Sequence, residues 1–141
     1  MRYTDIDLQS TDIVWFGVDK KGNIAAFFSG GGFCVPEFVC KSIEETELLE
    51  EYFLTELVLS TQYVLYVEDK NNSLIRDCKS LSEKGLYCFD ISDKDGINYE
   101  IISCPEKPIK VEALPKNIYA VMQLHNMNDS FADASGIILE K

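Results

Sequence analysis

The chain has 141 residues, 46% of them hydrophobic, and 24 acids against 13 bases leave a formal net charge of -11 at pH 7. Such a length sets a single domain over residues 1–141, able to hide roughly 70% of the surface its unfolded form would expose, so a packed core needs no staples. The charge sets nucleic acid against a strong electrostatic cost and favours a basic protein as partner, because opposite charges speed encounter.

The opening residues, Met1-Arg2-Tyr3-Thr4-Asp5-Ile6-Asp7, place acids where a signal peptide would have its apolar stretch. No apolar run approaches the ~18 residues of a membrane helix, so a cytoplasmic location without membrane partners is expected. Ile13-Val14-Trp15-Phe16-Gly17-Val18 and Ile24-Ala25-Ala26-Phe27-Phe28 flank a short Asp/Gly/Asn segment. They read as a β-hairpin with Gly22 at positive φ, and the two apolar faces of its first strand predict a place inside a sheet. Gly30-Gly31-Gly32 follows as a flexible loop, with Phe33 beside it and Pro36 barring a ladder hydrogen bond.

Ser42 with Glu45 three residues on has the spacing of a capping box and opens the clearest helix. Leu48, Leu49, Tyr52, Phe53 and Leu57 recur at helical spacing as its buried stripe, while Glu44, Glu47 and Glu51 share another face. Seven carboxylates lie between Glu37 and Glu56 with only Lys41 in reply. A solvated surface is the ordinary reading of such a face. Its density points further, to a docking face for a basic partner, because like charges at helical neighbour spacing each cost tenths of a kcal/mol.

Residues 62–67 read as a strand and residues 69–73 as a turn. A second helix is expected from Ser73 to Lys84, ended by Gly85. Leu86-Tyr87-Cys88-Phe89-Asp90-Ile91 and Tyr99-Glu100-Ile101-Ile102-Ser103-Cys104 read as paired strands. Leu114-Pro115 opens a short helix to about Val121, and Ile137-Ile138-Leu139 supplies an edge strand. The pattern predicts an α+β fold with a mainly antiparallel sheet and one or two flanking helices.

No motif spells out a chemistry. The three glycines lack G-x-G-x-x-G spacing and no helix starts directly after them. The segment from Ile91 to Ile102 matches a calcium loop only at Asp93, Asp95 and Gly96, and reads as a hairpin turn. His125 is the single histidine, and Cys34, Cys40, Cys78, Cys88 and Cys104 never fall in a Cys-x-x-Cys pair. Neither a metal site, a cofactor nor a catalytic residue is assigned, and the cysteines read as small buried hydrophobes.

Several segments together resemble a family of small bacterial proteins, many of them immunity proteins of polymorphic toxin systems. They are Asp12-Ile13-Val14-Trp15-Phe16-Gly17-Val18-Asp19, Gly22-Asn23-Ile24-Ala25-Ala26-Phe27, the helix carrying Leu48, Leu49, Tyr52 and Phe53, Gly85-Leu86-Tyr87 with Phe89-Asp90, and Pro105 and Pro108 followed by Leu114-Pro115. The resemblance implies a stoichiometric inhibitor whose acidic surface occludes a basic toxin, and it transfers no catalytic residue. The expected contact residues are Glu44, Glu47 and Glu51 with Gly30, Gly31, Gly32 and Phe33. Two alternatives remain open: a small-ligand domain with the loop of residues 30–36 at its pocket mouth, and a Cys-His hydrolase.

Overall fold

The computed structural model describes residues 1–68 and 72–139. Its elements in chain order are α1 (Asp5–Ser10), β1 (Val14–Val18), β2 (Ile24–Phe28), α2 (Glu37–Cys40), α3 (Ile43–Glu51), β3 (Tyr63–Leu65), α4 (Ser73–Glu83), β4 (Tyr87–Ile91), β5 (Asn98–Pro105), α5 (Lys116–Met122) and β6 (Gly136–Ile138). A π-helical turn, Tyr52–Glu56, continues α3. The six strands form one sheet in the order β1-β2-β4-β5-β3, with β6 also paired to β5. The pairing of β2 with β4 is parallel and the others are antiparallel, so the fold is α+β with a mostly antiparallel sheet and flanking helices.

Both expected hairpins form, because each rests on turn chemistry a few residues long. At the first, Trp15 faces Phe27, Gly22 takes φ 83, and Asp19 accepts from the backbone N–H groups of Lys21 and Asn23 at 2.9 Å. At the second, Phe89 faces Ile101, with an irregularity between Cys88 and Phe89. Asn72 caps α4 by accepting from the Ile75 N–H at 2.9 Å, and Gly85 at φ 101 follows its end. A Cβ at Gly85 would stand 2.7 Å from the Ile109 backbone nitrogen, so that position needs glycine for space as well as conformation. Of the turn expected over residues 69–73, only Asn72 and Ser73 lie within the described residues.

Alternation along the strands feeds two cores. Val14, Phe16, Ile24, Ala26, Phe28 and Cys88 face α3, α4 and α5, meeting Leu49, Phe53, Leu81, Ile118 and Met122. Trp15, Ala25, Phe27, Tyr87, Phe89 and Tyr99 face the opposite way, under Leu8, Val39, Phe131 and Ile137. Trp15 is fully buried, stacks on Phe27 with centroids 4.1 Å apart, and donates from Nε1 to the Tyr99 hydroxyl at 3.1 Å.

Two expectations are corrected. β1 ends the strand order instead of lying inside the sheet. It is nonetheless wholly buried, because the segment after α5 covers its outer edge: the Val18 N–H donates to the His125 carbonyl at 3.0 Å and the Met127 N–H to the Val18 carbonyl at 2.8 Å. The long helix also changes pitch at Tyr52, where the Leu57 N–H reaches back five residues to the Tyr52 carbonyl at 2.8 Å. The spacing 49, 53, 57 drifts around an ordinary α-helix, and the wider π turn cancels the drift, so Leu49, Phe53 and Leu57 are all buried.

Candidate functional site

The α1 helix and the residues flanking it supply one wall of an acidic groove. Thr4 and Asp7 form a full capping box: the Thr4 N–H donates to Asp7 Oδ2 at 2.8 Å and the Asp7 N–H to Thr4 Oγ1 at 3.1 Å. That box fixes a short helix that packing alone would leave marginal. The facing wall is α3, begun where Ser42 Oγ accepts from the Glu45 N–H at 3.2 Å. The Tyr3 N–H donates to the Cys40 carbonyl and the Ile43 N–H to the Met1 carbonyl, both at 2.8 Å, which anchors the first residues against α2 and α3.

Between the walls lies a groove of about 710 Å³, lined by Tyr3, Asp7, Thr11, Asp12, Ile13, Ile43, Thr46, Glu47, Glu50, Glu51, Leu54 and Thr55. Five of these residues are acids and none is a base. Glu50 is half-buried, and its carboxyl is pushed above the usual range by burial and then by the charges of Glu47, Asp77 and Asp12. Burial and then Asp12 likewise push Asp90 up to about 6. Asp12 therefore links two strained carboxylates, and at neutral pH the groove stores like-charge repulsion that a bound cation would relieve.

The expected contact residues divide. Glu47 and Glu51 line the groove. Glu44, on the same helix, holds the α-amino group of Met1 at 2.7 Å instead. Gly30 adjoins the groove, its N–H donating to Asp12 Oδ1 at 2.8 Å, while a Cβ on it would meet Ile91 at 2.8 Å. Gly31, at φ 77, passes close to the Gln9 carbonyl, Gly32 turns back through its N–H to the Ser29 carbonyl at 3.2 Å, and Phe33 is exposed. The loop is fixed further on, where the Tyr99 hydroxyl donates to the Cys34 carbonyl at 2.6 Å. Gly30, Gly31, Gly32 and Phe33 do not line the groove; Pro36 alone of that loop borders a separate cavity of about 270 Å³.

Asp7, Asp12 and Glu50 join the groove with no motif in the sequence that marks them as part of a site. The spacing of Thr4 and Asp7 carries the signal for α1, but nothing local shows that α1 packs opposite α3. His125 is 1% exposed; its Nδ1 donates to the Phe16 carbonyl at 2.8 Å and its ring packs 4.8 Å from that of Phe38. Cys78 and Cys88 are buried against each other, with the Cys78 thiol pushed far up by Cys88 and by burial, which disfavours a thiolate there. Among the described residues no group of three or more His, Cys, Asp or Glu could hold a metal ion, and no helix is long and apolar enough to cross a membrane. Comparison with family models, with curated proteins and with solved structures finds no match to the chain.

Proposed function

We propose that this chain is a non-catalytic protein-binding domain of the immunity type, which takes a basic partner into the groove between α1 and α3 and inhibits it by occlusion. The observation that carries the reading is the groove itself: Asp7, Asp12, Glu47, Glu50 and Glu51 converge on it without one lining base. Such a surface steers a cationic partner from a distance and gains again on contact, when the repulsion around Glu50 is neutralised. The resemblance to toxin immunity proteins fits an occluding role, since covering a basic substrate groove needs shape and charge but no reaction.

The test is association kinetics with the basic protein that co-purifies with the chain from its native cells. Replacing Glu47 and Glu51 together by Lys should slow association by about tenfold or more at low salt, with less effect at high salt, because exposed charges act first on encounter. Leu49, Phe53 and Leu57 are untouched, so the circular dichroism spectrum should be unchanged. A folded double variant that associates as fast as the wild type would exclude this groove as the docking surface.

A further inference from the structure

A second concavity lies away from the acidic groove and is built of different chemistry. It has a volume of about 360 Å³ and is lined by Tyr66, Tyr87, Phe131, Cys104 and Asp133, with small residues completing the wall. Phe131 is 1% exposed and Tyr87 6% exposed, their rings 6.1 Å apart and tilted at 48°, so the aromatic floor is rigid. Its position is fixed from across the molecule: buried Asp19, which organises the first hairpin turn, accepts from the Phe131 N–H at 3.0 Å. At the mouth stands Tyr66, 57% exposed, its hydroxyl 3.3 Å from Cys104 Sγ.

Two further observations say what would fill the space. The Tyr87 hydroxyl has no hydrogen-bond partner among the described residues, although its side chain is more than nine-tenths buried and lines the cavity. That hydroxyl is not a buried atom left without a partner, so it reaches the solvent of the cavity and is open to a ligand there. The lining also has a consistent electrostatic sense: three aromatic rings, hydroxyls that can accept, the Asp133 carboxylate and no base. Rings attract cations through their negative faces, and a carboxylate at the rim adds to that field. An anion would meet only repulsion in a chain of net charge -11.

We propose that this cavity binds an alkylated ammonium head group, held against the exposed Tyr66 ring beside the Tyr87 hydroxyl and balanced by Asp133. The site stands independently of the acidic groove. The head group could belong to a free small molecule or to a methylated lysine of a protein, and one experiment covers both. Tyrosine ring resonances of the full chain, labelled with carbon-13, are followed during titration with choline, with 3,3-dimethylbutan-1-ol, which has the same shape without the charge, and with a short peptide bearing one trimethyllysine.

Choline should shift the Tyr66 and Tyr87 resonances saturably and bind roughly tenfold more tightly than the neutral alcohol. Tyr66→Ala and Asp133→Asn, both at exposed positions, should each weaken choline several-fold, while Tyr66→Phe, which keeps the ring, should not. Tighter binding of the peptide would assign the cation to a protein side chain, and equal or tighter binding of choline to a free molecule. Equal affinity for choline and the alcohol, or choline shifts that survive Tyr66→Ala in a folded variant, would overturn the proposal.

Discussion

Asp90 shows how a single carboxylate reports the acidity around it. Its folded pKa of about 6 stands above the ordinary 3.8 because burial and the charge of Asp12 both disfavour the ionised form. A raised carboxyl contributes stability at acid pH, below its unfolded pKa, and that contribution is lost as pH rises through about 6. Asp90→Asn, which fixes the neutral state, should therefore stabilise the chain at pH 7.5 and leave it nearly unchanged at pH 4. The displacement would be worth under ~3 kcal/mol if fully felt. Solvent screening of a partly exposed group leaves about 1 kcal/mol, readable as a shift in urea midpoint.

At the level of elements, the covered edge of β1 gives His125 a structural task. A carbonyl can only accept, so Nδ1 carries the proton that goes to Phe16, and the buried Nε2 faces no hydrogen-bond partner. Burial lowers the His125 pKa and outweighs the hydrogen bond to Phe16 and the attraction of nearby Glu45, while Lys41 works with burial. A lowered histidine contributes stability above its unfolded pKa near 6.5, and that contribution is lost as pH falls. The cost of His125→Gln, measured by denaturant, should thus be larger at pH 7.5 than at pH 5.5. Equal costs at both values would mean the imidazole is solvated enough to titrate freely. What was legible in the sequence follows the same division. Gly22, Ser42 and Gly85 act within a few residues of themselves, so the hairpin turn, the start of α3 and the end of α4 could be read directly. The cover on β1 joins residues 16–18 to residues 125–127, and the groove joins Asp7 and Asp12 to Glu47 and Glu50. Neither pairing leaves a local spacing to read. The face of Glu44, Glu47 and Glu51 was half visible, since helical period groups the three but cannot show that Glu44 turns to the α-amino group.

For the whole molecule, 24 acids against 13 bases leave a charge of -11, and among the described residues the ion pairs Met1 with Glu44 and Arg2 with Glu37 are solvent-exposed and worth little. Self-repulsion should make stability depend on ionic strength. Raising sodium chloride from 10 mM to 300 mM should raise the melting temperature by a few degrees, and a fall or no change would show that repulsion does not limit the fold. The parallel pairing of β2 with β4 has a consequence in time. The hairpins β1-β2 and β4-β5 close over short turns, whereas the seam of Ala25 with Tyr87 and Phe27 with Phe89 requires residues 29–86 to be looped out first. Loop-closure entropy delays that step. Two preformed ribbons would thus meet late, with Trp15 and Phe27 on one and Phe89 on the other waiting exposed until they join. The same apolar seam that makes the finished core is the chain's main hazard of sticking to a neighbour while it folds.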